Sequence, residues 1–416
     1  MQTQIQTLKG FRDFLPAEKR KRQYVAGVMS SVFERYGFAP LETPTLEYAE
    51  LLLGKYGEEA DTLVYTFTDR GDRAVGLRYD QTVPTARVLT QYQNELPKYF
   101  RRYQIQNVFR ADKPQKGRFR EFTQCDCDIF GSISPVADAE LLAVLYAVYK
   151  EIGFGQISLL INDRQLLANL LSEFATPEVP FASIVQTIDK LDKVGADGVT
   201  AELVKKGHAY QAAAKILSVL ENATKSKQLL EIEQYATALG VPQEALLFTP
   251  TLARGLDYYT GMIIEVQLPE YGAGSVAGGG RYDNLISELG GPAIPAVGFG
   301  IGFDRTLEAA DSLGLLPTTL DRTRVLVTLF DESSTPAVLS VAKTLRAAGV
   351  ATEVYPAIEK LGKQFKLADQ KQIPFAVVVG PEEVAGNTVQ LKNMATGEQQ
   401  QMQLEQVVQT VQIATE

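Results

Sequence analysis

Apolar residues recur at helical spacing from 17 to 36 behind a charged opening, and the run closes at Tyr36-Gly37, where glycine supplies the left-handed conformation that ends a helix. Phe38-Ala-Pro-Leu-Glu-Thr-Pro44 follows as extended chain. Its prolines confine it to a sheet edge or a crossing segment, because proline cannot donate to a central ladder. Strand-like runs come next at 62–68, 75–78, 103–110 and 119–131, joined by polar turns rather than crossover helices. Short connections of that kind favour antiparallel pairing. Ser134-Pro135 has the marks of a helix start: a hydroxyl cap, proline in the first helical position, Asp138 and Glu140 in the opening turn, and a stop at Gly153.

After a further strand at Ile157–Asn162, residues 164–246 turn to Leu, Lys, Glu and Ala at helical spacing with no convincing strand, which predicts a helical insertion. Strand spacing returns at Met262–Leu268, and glycine clusters at Gly272–Gly280 and Gly298–Gly302 flank a helical stretch, Tyr282–Leu289. The pattern breaks at Leu316-Pro-Thr-Thr-Leu-Asp321. Beyond it strands at 324–330, 352–355 and 375–379 alternate with helices at 336–348 and 360–370, the order of a small, largely parallel α/β domain. The expected architecture is an α+β domain over 1–320, built on an antiparallel sheet with the insertion at about 164–246, and a separate α/β domain over 323–416.

Composition agrees with more than one domain, since 416 residues exceed what one core ordinarily supports, and 45% apolar and 22% charged residues are ordinary for folded protein. The first residues lack the basic start and apolar core of a secretory signal. Leu141–Gly153, the most apolar stretch, is shorter than the roughly 20 residues of a membrane span. No membrane segment and a cytoplasmic location are expected. The only cysteines, Cys125 and Cys127, are read as strand residues on opposite faces and therefore unbridged. With a distant His208 they fall short of the four ligands of a structural zinc site. His208, the only histidine, is expected at an exposed helix end and lacks the partners of a catalytic triad.

A net charge of -9 argues against a generally basic surface, but Arg101, Arg102, Arg110, Lys113, Lys116, Arg118 and Arg120 form a local positive island, either a solvated charge run or a phosphate site. Neither GxGxxG nor GxxxxGK[ST] occurs. Arginine instead appears in four defined settings: Phe109-Arg110, Arg118-Phe-Arg-Glu-Phe122, Ala253-Arg254 before Tyr258-Tyr259, and Gly302-Phe-Asp-Arg305. A guanidinium is a planar donor fork that keeps its charge, so several of them together suit phosphoryl or nucleotidyl chemistry.

Phe109-Arg-Ala-Asp-Lys-Pro-Gln-Lys-Gly-Arg-Phe-Arg-Glu-Phe-Thr-Gln124, ending in Asp128-Ile-Phe-Gly131, resembles motif 2 of class II aminoacyl-tRNA synthetases in its histidyl form. Leu252-Ala-Arg-Gly-Leu-Asp-Tyr-Tyr-Thr-Gly261 and Ala277-Gly-Gly-Gly-Arg-Tyr-Asp-Asn-Leu285 are similar to two segments peculiar to histidyl-tRNA synthetases. Ala296-Val-Gly-Phe-Gly-Ile-Gly-Phe-Asp-Arg305 resembles motif 3, the helix leading to Pro44 resembles motif 1, and Leu361-Gly-Lys-Gln-Phe-Lys-Leu-Ala-Asp369 extends the likeness into the last domain.

The resemblance implies a class II catalytic domain and a C-terminal anticodon-binding domain. It implies activation of L-histidine by ATP, with Mg2+, and transfer to tRNA(His) by a homodimer. Carried over residue by residue, Arg110 and Arg254 would grip the α-phosphate, with Arg254 also near the substrate carboxylate. Arg118 and Arg305 would meet the outer phosphates or adenine, and Phe122 with Arg305 would sandwich the base. Asp80, Thr82 and Gln124 would surround the substrate ammonium; Asp128 and Tyr259 would read the imidazole, with Tyr258 a weaker neighbour. Gln115 would meet the acceptor end of the tRNA. Asp80, Asp112 and Asp128 are one methylene shorter than the Glu of many bacterial members, which bears on pocket geometry. The rival readings are a synthetase-like regulatory subunit of ATP phosphoribosyltransferase, which binds without charging tRNA, and a plain scaffold, which would have no use for arginines in these settings.

Overall fold

Glu121–Phe130 carries two different surfaces on one strand, and the fold of the first unit follows from keeping them apart. It pairs antiparallel with Phe100–Phe109 on one side and with Ala296–Gly302 on the other. Residues two apart share a face. Cys125, Cys127 and Ile129 point with Val297, Phe299 and Ile301 into an apolar core, whereas Gln124, Asp126 and Asp128 lie on the reverse side.

The computed structural model describes residues 5–53, 62–113, 119–254, 258–272, 274–318, 320, 323–329 and 331–413. The chain divides into two units, Met1–Pro317 and Thr318–Glu416. In the first, the eight-stranded sheet runs in the order Ala39–Pro40, Phe100–Phe109, Glu121–Phe130, Ala296–Gly302, Ser275–Arg281, Met262–Gln267, Ser158–Asp163, Leu246–Phe248. Its outermost pairs are parallel and all the others antiparallel.

Two long helices cover the apolar face. Pro16–Arg35 contributes Val25, Met29, Val32 and Phe33, and Gly37 takes φ +77° just after it. Pro135–Ile152 begins at Ser134, whose side chain accepts from the Val136 amide, and ends at left-handed Gly153. It supplies Leu141, Leu142, Leu145, Val148 and Tyr149 to the same core. A buried bidentate pair joins this helix to the sheet: Arg281 donates Nε to Asp138 Oδ1 at 3.1 Å and Nη2 to Oδ2 at 2.5 Å. At the other end, Asp304 accepts from Arg22 at 2.5 Å and from Arg12 at 3.0 Å, which fixes the start of the Phe303–Ser312 helix against the first helix.

The structure departs from the sequence pattern at several points. Cys125 and Cys127 share the apolar face instead of pointing apart, as residues two apart must, and both are buried free thiols held well above the ordinary thiol range by burial. The connection between Ala74–Leu77 and Phe100–Phe109 contains a helix, Thr82–Gln91, disguised by its β-branched Thr82-Val83 start and by Pro84. The helical stretch after 164 ends in a three-residue strand, Leu246–Phe248, whose partner is Ser158–Asp163. Within that stretch Lys227–Ala238 packs Leu229, Ile232 and Ala236 into the main core, whereas the helices over 181–221 belong with a second cluster beside the sheet. Of the stretch Tyr282–Leu289 expected to be helical, only Leu285–Glu288 forms a helix. His208 is buried, not exposed, and follows the Leu191–Lys206 helix, its amide bonded to Leu203 O.

The second unit holds a five-stranded sheet in the order Thr352–Val354, Val325–Val327, Phe375–Val378, Val389–Asn393, Gln399–Met402. The first three strands are parallel and the last two antiparallel to their neighbours. Helices Thr335–Ala347 and Leu404–Ile413 bury Val338, Leu345, Val407 and Val411 against it.

Candidate active site

A cavity of about 490 Å³ opens over the polar face of the large sheet. Its floor is built by subtraction. Strands Ser275–Arg281 and Ala296–Gly302 place Gly278, Gly298 and Gly300 there, and the vacated space is filled by side chains from neighbouring elements. A Cβ at Gly298 would sit 1.7 Å from Asp128 Oδ1, and one at Gly278 would sit 1.7 Å from Arg254 Nη1. No side chain fits at either position while its neighbour stays where it is.

Of the residues singled out from the sequence, Asp80, Thr82, Arg110, Phe122, Gln124, Asp128, Arg254, Tyr258 and Tyr259 line this one cavity. Arg110 is held by donating Nε to the Tyr79 carbonyl at 3.0 Å, with its guanidinium 5.1 Å from the Phe122 ring centroid. Arg254 takes a positive φ of 45°, uncommon for a residue with a side chain. Its Nη1 donates to Glu265 at 3.1 Å and its guanidinium lies 5.6 Å from the Tyr259 ring. Burial opposes that charge, but Tyr259 and Glu265 outweigh burial and raise the Arg254 pKa above its ordinary value. The rings of Tyr258 and Tyr259 are 4.6 Å apart, and Tyr282 meets Tyr258 edge-on at 6.0 Å.

Arg305 is not among the lining residues; it is exposed and donates to Ser275 O at 2.6 Å. Phe122 therefore has Arg110, not Arg305, over its ring. Gln115 and Arg118 lie outside the described residues. Asp112 accepts from Arg120 Nε through its backbone carbonyl.

The floor holds an ionic cluster that the sequence pattern did not single out. Arg102, 1% exposed, faces Asp128 across the hairpin, and its Nη2 lies 2.7 Å from Asp128 Oδ2. Tyr282 donates its hydroxyl to Asp128 Oδ1. Asp126 is two residues back, and Gln124 Nε2 donates to both its carboxylate oxygens at 2.9 Å. Burial raises the Asp128 pKa and Arg102 opposes the rise. For Asp126 burial is joined by the neighbouring Asp128 and Asp80, and the carboxyl is pushed up to about 7. Burial also opposes the Arg102 charge, but the two acids outweigh it and keep the guanidinium ionised. Arg102 lies within Phe100–Phe109 at the register position opposite Asp128, yet without the register it looks like one more residue of the basic island.

One cavity thus joins two chemistries. Acids Asp80, Asp126 and Asp128 suit a cationic group, and the guanidiniums of Arg110 and Arg254 suit an anionic one. An amino acid beside a nucleotide phosphate presents that combination.

Comparison with known proteins gives a consistent result. Residues 10–306 match a family model described as histidyl-tRNA synthetase, and residues 324–413 match one described as an anticodon binding domain. A histidine–tRNA ligase of Rhodopirellula baltica is 40% identical over 420 residues, covering 95% of each chain. One from Cytophaga hutchinsonii is 37% identical and covers 96% of this chain and 98% of the relative. Among solved structures, a histidyl-tRNA synthetase from Nostoc superposes with a TM-score of 0.86 at 30% identity, covering 99% of both chains.

The glycine floor is directly testable by stability. Gly298→Ala drives a methyl into Asp128 and disrupts a buried charge network, so it is expected to cost about 3 kcal/mol or more. Gly27→Ala, in the middle of the first helix with nothing within 4 Å of the added carbon, is expected to stabilise by roughly 0.5–1 kcal/mol. Thermal unfolding of the two variants checks the contrast; equal midpoints would refute the close approach at the floor.

Proposed function

The chain belongs to the histidyl-tRNA synthetase family, and from that premise we propose how its cavity activates histidine and passes it on. The protein is an aminoacyl-tRNA synthetase that ligates histidine to tRNA. L-Histidine and ATP give histidyl-adenylate and pyrophosphate; the histidyl group then moves to the 3′ end of tRNA(His) and AMP is released. The histidine carboxylate attacks the α-phosphate, so negative charge builds on its oxygens, and catalysis rests on donors already aimed at that charge. Arg110 and Arg254 are those donors. The Tyr79 carbonyl and Phe122 ring hold the first and Glu265 holds the second, so neither has to reorganise during the step. Their convergence on a cavity with an acidic floor is the observation that carries this reading.

On the floor, Asp80, Thr82 and Gln124 receive the substrate ammonium. Asp80 is already fixed by accepting from the Val83 amide at 3.2 Å. Asp128 and Tyr259 read the two imidazole nitrogens. Arg102 and Tyr282 each engage one Asp128 oxygen, and each oxygen keeps a second lone pair for a ring N–H. A substrate lacking that donor would leave buried polar groups unpaired, which is the basis for selecting imidazole. Tyr258 backs Tyr259. Adenine stacks on Phe122, and Arg305 can cap it only by releasing Ser275 O. Arg118 meets the outer phosphates.

Among the described residues there is no cluster of three or more His, Cys, Asp or Glu able to hold a metal. Magnesium ordinarily keeps several waters and uses one or two carboxylates besides the phosphates, so the site fits Mg2+ brought in with the nucleotide, where it would neutralise phosphate charge. The Thr318–Glu416 unit reads the anticodon, Gln115 meets the acceptor end, and two chains pair through the first helix and the segment that follows it. Exposed Leu46, Tyr48 and Phe67 on the adjoining small sheet leave apolar surface for such a contact. Among the described residues no helix is long and apolar enough to cross a membrane, and a cytoplasmic location suits the activity.

ATP–pyrophosphate exchange with each amino acid tests the reading, and only histidine should support it. Arg254→Ala should lower kcat for exchange by about 100-fold or more while weakening histidine binding far less, as for a contact that tightens in the transition state. Equal losses in both would remove Arg254 from that role. Deleting residues 323–416 should leave adenylate formation largely intact and abolish efficient charging of tRNA; undiminished charging would mean that this unit does not read the anticodon.

A further inference from the structure

Among the described residues that line the cavity, Gln124 is the one side-chain amide, and an amide has two ends of opposite character. Its Nε2 donates to both oxygens of Asp126 at 2.9 Å each. Its Oε1 is buried and has no partner among the described residues. A carboxylate can only accept, so the nitrogen end must face Asp126 and the oxygen end must face away from it. We infer that Asp126 is a positioning residue for histidine activation, holding the Gln124 amide so that Oε1, buried and without a partner among the described residues, is kept as the acceptor that the substrate ammonium meets on entering the cavity. This rests on Gln124 being an ammonium contact.

The surroundings of Asp126 support the assignment. Its carboxylate fills space left by Gly300, where a Cβ would lie 2.9 Å from Oδ1 and 3.9 Å from Gln124 Nε2. Gln104, its partner across the hairpin, sends its own Nε2 to Thr43 and Gln106 and so does not compete. The charged groups that face it are Arg102 from the Phe100–Phe109 strand, Asp128 from its own strand and Asp80 from the turn before the Thr82–Gln91 helix. The neighbouring Ala296–Gly302 strand offers Gly300 at this register and no charge. If Asp126 takes up a proton it becomes a donor, the amide can turn over, and Nε2 then opposes an ammonium. With the carboxyl pushed up to about 7, that reversal falls within the working pH range.

The stability sign runs opposite to that of an ordinary ion-paired acid. A carboxyl raised from 3.8 to about 7 on folding favours the folded state most below 3.8, and that contribution is lost as pH rises to about 7. Asp126→Asn should therefore unfold at the same or a higher temperature near pH 8, although it impairs function.

Histidine-dependent ATP–pyrophosphate exchange in the full chain is the test. Asp126→Asn should raise KM for histidine about tenfold near pH 8, by loss of an oriented acceptor for a charged donor, with KM for ATP unchanged and kcat affected less. The ratio of variant to parent KM should shrink toward one near pH 6, and titration of the substrate imidazole cancels in that ratio. Combining Asp126→Asn with Gln124→Glu restores an acceptor fixed by a donor, at the same total charge, and should bring KM back to within about threefold. Gln124→Ala separates the two levels. If it leaves KM for histidine unchanged, the ammonium contact itself is wrong; if it raises KM and Asp126→Asn does not, only the positioning role falls. A loss of thermal stability in Asp126→Asn with both KM values unmoved would make Asp126 structural and overturn the inference.

Discussion

Two carboxylates two residues apart on a buried strand would ordinarily be too costly to keep ionised, because burial and mutual repulsion act in the same direction. Arg102 makes the arrangement tolerable. It is nearly inaccessible, carries its charge from the neighbouring strand, and lies in register with Asp128. The cluster does not remove all the strain: Asp128 takes the direct ion pair, whereas Asp126 has Gln124 and a raised pKa. Such networks contribute little net stability compared with apolar packing. Here the network is what allows one strand to have a thiol-lined apolar back and an acidic front.

Most of the elements were legible because their signals are local. Ser134-Pro135 and Gly153 bracket the Pro135–Ile152 helix as capping rules require, and Gly37 closes the first helix. The failures share a cause. Leu246–Phe248 is a strand only because Ser158–Asp163 offers it an edge, and three residues carry no period of their own. Thr82–Gln91 is buried almost all round, which erases the stripe that marks a helix. His208 is buried although it lies just past a helix end, a position that local sequence marks as exposed.

For the site, the segments around Arg110, Gln124 and Arg254 could be picked out from the chain because their residue types are unusual together. Arg102, Asp126, Glu265 and Tyr282 could not. Arg102, Glu265 and Tyr282 act on another side chain across a strand pair or from another segment, a relation that exists only once the strands are placed, and Asp126 acts on Gln124 along one strand face whose polar side only the fold defines. Arg281 shows the reverse hazard: it sits in a glycine-rich segment that suggests a ligand contact, yet its guanidinium is committed to Asp138, Asp283 and backbone carbonyls.

The glycine floor also determines where this cavity can change over generations. Where side chains form a floor, they can be trimmed or enlarged in small steps. Gly278 and Gly298 cannot be trimmed further, and any addition there meets Arg254 or Asp128 at once. Variation in what the cavity admits is thereby channelled to the lining positions that carry side chains, among them the turn at Asp80–Thr82 and the aromatic group Tyr258, Tyr259 and Tyr282, where side chains can still exchange size for shape. The glycine positions are the fixed part of the pocket and the side-chain positions its adjustable part.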